Sequence, residues 1–222
     1  MKIVLLEPLA VEEEIINDLA ANLKEQGHEF VAYDDRVEDE DVIIERASDA
    51  DVVIITNLPL SERVIKACSN LKLISVAFTG VDHIDLKTCQ EKEITVCNAP
   101  GYSTHSVAEL AIGLMITVMR NIASCDAATR EEETRAGLIG NELNGKKLGI
   151  IGTGKIGLRV AEIGKAFGCE LLGYNRFEKE QAKELGLEYV DLDALMKEAD
   201  IVSLHLPHTE ETEGMIDKEK ID

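Results

Sequence analysis

The chain has 222 residues, 45% hydrophobic and 30% charged, a globular composition that excludes a disordered, collagen-like or disulfide-stapled protein. Lys plus Arg total 23 against 43 Asp plus Glu, for a net charge of −20, which disfavours a large nucleic-acid footprint and adsorption to an acidic membrane. The cysteines (Cys68, Cys89, Cys97, Cys125 and Cys169) are odd in number, widely spaced and free of CxxC, so neither a disulfide framework nor a metal site is expected and the reading is a reducing cytoplasm.

In chain order, short β-branched runs alternate with amphipathic stretches. The N-terminus runs into an acidic helix without a small-residue cleavage site, so no signal peptide is expected. Strands are predicted over Lys2–Leu6, Glu29–Ala32, Asp51–Thr56, Leu71–Val76 and Thr95–Cys97. Helices are predicted over Val11–Gln26, Asp41–Ala47, Ser61–Cys68 and Asp85–Glu91. Such alternation implies helical crossovers on a parallel sheet, giving a first α/β domain over residues 1–98.

One long helix is then expected from Val107 to Ile122, capped by Ser103 or Thr104, with Val107, Leu110, Ala111, Leu114, Met115, Val118, Met119 and Ile122 on a single apolar face. That face suits a domain core and a subunit interface equally. The stretch from Glu109 to Arg120 is well short of the ~20 apolar residues that span a bilayer, so no membrane association is expected. ATREEETRAG reads as a solvated loop. A second domain, residues 99–222, continues with strands Lys147–Ile151, Glu170–Tyr174, Glu188–Val190 and Asp200–Leu204, and with helices Lys155–Phe167, Lys179–Leu185 and Leu192–Glu198 between them.

LGIIGTGKIG places Gly152, Gly154 and Gly157 in a GxGxxG pattern between an apolar strand and a helix. In that context Gly152 allows a tight turn, Gly154 a close backbone approach to a pyrophosphate, and Gly157 close helix–strand packing; Lys155 and Ile156 open the helix whose free N–H groups face the anion. Where a carboxylate would select NAD, at the end of the next strand, the sequence has Asn175 followed by Arg176. Asn175 removes the repulsion of a 2′-phosphate and Arg176 offers it a partner, so NAD and NADP both remain open; Arg176 fits a solvated loop charge as well.

The blocks LKLISVAFTGVDHIDL, VCNAPGYSTHSVAELAIGLM, LNGKKLGIIGTGKIG and ADIVSLHLPHTEETEGMI cover most of residues 51–217, and in them the chain resembles the D-isomer-specific 2-hydroxyacid dehydrogenases, with a hydroxypyruvate reductase or glycerate dehydrogenase flavour. The resemblance implies a flavodoxin-like substrate domain followed by a Rossmann-type NAD(P)-binding domain. It implies a homodimer and hydride exchange between NAD(P)H and a small 2-keto or 2-hydroxy acid such as hydroxypyruvate, glyoxylate or pyruvate. By it, the backbone of Phe78, Thr79 and Gly80 receives the substrate carboxylate, Tyr102 and Thr104 line the cleft near the nicotinamide, and His205 and Pro207 contact the cofactor. Phe78–Gly80 also fits a plain turn, and His205 a hydrogen-bonded strand-end histidine. Asn57 stands where phosphoglycerate dehydrogenases carry an arginine for the substrate phosphate, which favours an unphosphorylated substrate.

The histidine, arginine and glutamate that carry the family's chemistry follow the LHxP segment, and the chain ends at EKID before they occur. The expectation is a C-terminally truncated nucleotide domain, inactive by itself, with a bare apolar edge after the fourth strand. His28, His83, His105 and His208 read mainly as surface or capping residues, with His83, beside the carboxylate loop, the foremost functional candidate of the four. A non-catalytic dinucleotide-sensing module is the alternative.

Overall fold

A computed structural model describes residues Met1–Ile221. The chain is α/β and forms two compact units, one ending at Tyr102 and the other beginning at Ser103. Ala99–Tyr102, placed in the second domain by the sequence reading, thus belong with the first unit. The Ala99 N–H donates to the Phe78 carbonyl at 3.0 Å, and the Phe78 and Tyr102 rings lie 6.4 Å apart, which ties the segment to the preceding loop.

The first unit has strands β1 (Lys2–Leu5), β2 (Glu29–Ala32), β3 (Val52–Ile55), β4 (Leu73–Val76) and β5 (Thr95–Asn98), all parallel. Their order is β2-β1-β3-β4-β5, the flavodoxin-like order. Helices α1 (Glu13–Glu25), α2 (Glu40–Ala47), α3 (Glu62–Ala67) and α4 (Leu86–Glu91) make the crossovers. Alternation along the strands sends Val4, Val53, Ile55, Ile74 and Val76 into a core with Ile43, Ala47, Val64 and Ile65 of α2 and α3. Side-chain caps start three of these helices, with Asp39, Ser61 and Asp85 accepting from first-turn N–H groups.

At β1 the strand order reverses. There Glu7, 2% exposed, crosses from the end of β1 to the loop after β3, and its Oε1 accepts from the N–H groups of Thr56, Asn57 and Leu58 at 2.7, 3.0 and 2.8 Å. Its Oε2 meets the Arg36 guanidinium. Burial alone would raise the Glu7 carboxyl; the hydrogen bonds from Thr56 and Leu58 and the Arg36 charge outweigh it and hold the group below its ordinary 4.5.

The second unit opens with α5 (Thr104–Met119) and α6 (Ile122–Arg130), then β6 (Lys147–Ile151), α7 (Lys155–Ala166), β7 (Glu170–Tyr174), α8 (Glu180–Glu184), β8 (Glu188–Tyr189), α9 (Leu192–Glu198), β9 (Ile201–Leu204) and α10 (Lys218–Ile221). The parallel sheet runs β8-β7-β6-β9, four strands of the Rossmann arrangement. Leu148 and Ile150 face α5 and α7, while Ile151 and Leu172 face α9. Among the described residues β9 pairs only with β6, which leaves its other side open, and Leu204 is 54% exposed. No single helix among those residues is long and apolar enough to cross a membrane.

The expected long helix Val107–Ile122 is corrected in three respects. Asn121 adopts a left-handed conformation (φ 53°) that ends α5 and bends the chain by 59° into α6. Part of the supposed loop ATREEETRAG is therefore helical, supported by an Arg130–Asp126 pair at 2.8 Å. No side chain caps α5; the Ser103 carbonyl instead accepts from Val107 N–H and Ser106 Oγ. The core-facing stripe is Ala108, Ile112 and Met115, whereas Leu110, Leu114 and Val118 are 62, 56 and 74% exposed. The helix is apolar nearly all round, so its sequence period could not tell the buried side from the open one.

Glu7→Ala removes one acceptor from three inward N–H groups and is expected to lower unfolding free energy by about 3 kcal/mol in urea titrations near neutral pH, with Glu7→Gln losing less. Because the folded carboxyl lies below 4.5, its stabilisation is present above that value and fades as pH falls. The difference between wild type and Glu7→Gln should therefore narrow in acid.

Candidate functional site

The glycine turn follows β6. Gly152 has φ +96°, and a Cβ there would stand 2.6 Å from the His205 carbonyl oxygen at the end of β9. A Cβ on Gly157 would collide with the Gly152 carbonyl oxygen. Those two glycines let β6, α7 and the end of β9 meet backbone to backbone. Gly154 differs: it is the N-cap of α7, no side chain caps that end, and an added Cβ would meet nothing within 4 Å. The outer face of the turn is open and fronted by the first-turn N–H groups of Lys155, Ile156 and Gly157. This fits a diphosphate, which needs donors and room for a close backbone approach.

Thr153 was missed by the sequence reading. It is fully buried between the first two glycines, and its hydroxyl bonds the Tyr189 Oη of β8 at 2.7 Å. Tyr189 Oη also accepts from the Lys179 N–H at 3.0 Å, so one phenol ties the glycine turn to the segment before α8. The variable position inside a GxG carries no signal for this.

At the carboxyl ends of β7 and β9 lies a groove of about 890 Å3, with Asn175, Arg176, Leu206 and Pro207 among its lining residues. Asn175 Nδ2 donates to the Phe177 carbonyl at 2.7 Å, and Arg176 forms an ion pair with Glu211. His205 N–H donates to Ile151 O at 2.8 Å, and its Nε2 lies 2.9 Å from Ser203 Oγ. Burial holds His205 below the ordinary histidine value of 6.5. The structure thus gathers Gly152, Gly154, Lys155, Ile156, Gly157, Asn175, Arg176, His205 and Pro207 at one sheet edge, where ligands of open α/β sheets collect. Thr104, at the start of α5 in the same unit, is half-buried.

In the first unit, Phe78, Thr79 and Gly80 form the loop after β4, and Asn57 the loop after the neighbouring β3. The Thr79 carbonyl accepts from Asn98 Nδ2 at 2.7 Å, and a Cβ on Gly80 would lie 2.9 Å from Asp82 Oδ1. Tyr102 is 61% exposed beside Phe78. Arg36 Nη1 donates to Asn57 Oδ1 at 2.6 Å while pairing with Glu7 and Glu38. A guanidinium therefore does reach the Asn57 position, from the loop after β2, with its charge balanced by two carboxylates. Only three-dimensional proximity reveals it. His83, read from sequence as a surface or capping residue, has a buried Nε2 with no hydrogen-bond partner among the described residues, and burial holds it below 6.5 against the opposing pull of Asp82 and Glu7.

A four-stranded Rossmann sheet with an open, uncapped glycine turn defines a dinucleotide-binding α/β protein. Residues 112–222 match the model for the D-isomer specific 2-hydroxyacid dehydrogenase NAD-binding domain. The chain is 41% identical over 185 residues to a hydroxypyruvate reductase of Thermotoga maritima, covering 82% of this chain and 60% of that one. Among solved structures it is similar to the D-lactate dehydrogenase of Aquifex aeolicus complexed with NAD and lactic acid (TM-score 0.86, 32% identity, 99% of this chain and 65% of that one). It is also similar to an acyclic imino acid reductase in complex with NADPH and D-Arg (TM-score 0.87, 30% identity, 100% and 70%). The chain belongs to the D-isomer-specific 2-hydroxyacid dehydrogenase family. It spans 60% or less of the length of the first curated relatives it matches.

Gly157→Ala should cost about 2 kcal/mol or more in thermal or urea unfolding, because the added methyl meets rigid backbone. Below pH 6.5 the unfolded chain takes up protons that folded His83 and His205 resist, so stability should fall as pH drops through that value. His205→Gln should flatten the dependence of the urea midpoint between about pH 7.5 and pH 5.5.

Proposed function

We propose that this chain is the substrate unit and part of the nucleotide unit of an NAD(P)-dependent oxidoreductase that interconverts small 2-keto and 2-hydroxy acids of the hydroxypyruvate, glyoxylate or pyruvate type. The observation that carries the reading is the open glycine turn: Gly152 and Gly157 are filled by the protein's own backbone, and Gly154 alone faces free space. The bound dinucleotide supplies the hydride chemistry. This chain's own residues bind and orient. First-turn N–H groups of α7 hold the diphosphate, Asn175 meets the adenosine ribose, and Leu206 and Pro207 cover the adenosine groove. Phe78, Thr79 and Gly80 present backbone N–H groups to the substrate carboxylate, with Tyr102 beside them. The Arg36 charge at Asn57 is already shared by Glu7 and Glu38, which supports an unphosphorylated acid.

The family's dimer gains support from α5, whose outward Leu110, Leu114 and Val118 form an apolar strip on a highly charged chain. Light scattering of the wild type is expected to give twice the chain mass, and Leu114→Glu with Val118→Glu the mass of one chain.

Gly154→Val separates binding from folding. Its side chain enters open space, so the thermal midpoint should hold, whereas NADH affinity followed by fluorescence should drop about thirtyfold through lost diphosphate contacts. Equal NADH affinity in the two proteins would remove the glycine turn as the cofactor site.

A further inference from the structure

The groove beside β7 and β9 carries an inference that rests on the dinucleotide reading and sharpens it. Among the described residues lining that groove, Arg176 is the one arginine or lysine, and it is ion-paired with Glu211; Glu210 lines the same groove. Glu211 sits on a fastened loop. Thr212 Oγ1 donates to the Pro207 carbonyl at 2.7 Å and accepts from the Thr209 N–H at 2.9 Å, and the Glu213 N–H donates to Thr209 O at 2.8 Å. Asn175, which precedes Arg176, spends an amide hydrogen on the Phe177 carbonyl and keeps its Oδ1 as an acceptor.

A 2′-phosphate brings charge and only acceptors at neutral pH, so it needs a free cation and free donors. A 2′-hydroxyl brings a donor and needs an acceptor. The groove offers the second set: a free amide oxygen, a guanidinium already neutralised, and a further carboxylate nearby.

We propose that Glu211 is a cofactor-selecting residue: by holding Arg176 it withholds the groove's cation from a 2′-phosphate and makes the site prefer NAD to NADP. The selecting carboxylate thus comes from the loop after β9, facing the end of β7 where GxGxxG folds ordinarily carry theirs. To bind NADP, the protein must divide the Arg176 charge between Glu211 and the phosphate, or break the pair, and accept a phosphate beside Glu210.

The test is calorimetric titration of the 222-residue chain with NAD+ and NADP+ at low ionic strength, where exposed charges are least screened. The wild type is expected to bind NAD+ more tightly. Glu211→Gln should move the ratio of the two affinities toward NADP+ by about three- to tenfold, and adding Arg176→Ala should abolish that movement. Raising the salt concentration should shrink it. Preference of the wild type for NADP+, or a ratio unmoved by Glu211→Gln, overturns the assignment to Glu211 and leaves the dinucleotide site standing. Failure of both dinucleotides to bind overturns the site and the selection together. Thermal midpoints of the variants confirm that the comparison is made on folded protein.

Discussion

Backbone meeting backbone at the end of β6 is the constraint on which the second unit depends. Three segments converge there: the turn at Gly152, the helix at Gly157 and the strand end at His205, with no room for a single Cβ between them. Close approach leaves the first N–H groups of α7 pointing past the sheet edge, and the carbonyls behind them are consumed in the sheet, as in the His205 N–H to Ile151 O bond. A concentrated patch of donors results on a protein whose net charge is −20. Thr153 and Tyr189 fasten the turn from beneath, so its shape is set by the folded protein itself.

The two units treat the same topological feature differently. Each is a parallel sheet whose strand order reverses beside its first strand, the place where open α/β sheets ordinarily form a crevice. In the second unit the donors remain open. In the first, the three N–H groups of Thr56, Asn57 and Leu58 are already taken by the carboxylate of Glu7, an internal anion in the place where a ligand's would go. The neighbouring Phe78–Gly80 loop, after β4, lies one strand away and outside this set of bonds.

Most of the architecture was legible in the sequence, because parallel strands buried on both faces read as short β-branched runs and their crossovers as amphipathic stretches. The glycine turn was legible for a different reason: its residues are dictated by steric exclusion, which leaves glycine as the sole choice at Gly152 and Gly157. What escaped was set by tertiary partners. Nothing local marks Glu7 as buried, Arg36 as the guanidinium at Asn57, or Glu211 as the partner of Arg176, since each acts across tens of residues. The break at Asn121 was missed because Ile122, just beyond it, continues the apolar spacing of the helix. The buried side of α5 stayed open in the sequence because Leu110 and Ile112 are equally hydrophobic and only their neighbours differ.

The sheet of the second unit is lopsided. At one margin stands β8, two residues long; at the other stands β9, four residues long, paired on a single side among the described residues. A two-residue strand offers too short a ladder for another strand to dock, whereas β9 presents a full row of vacant main-chain donors and acceptors with Leu204 uncovered at its tip. Extension of this layer is therefore directional: any additional strand, from whatever source, has one side on which to join, and joining there would shelter the very margin that borders the LHxP loop.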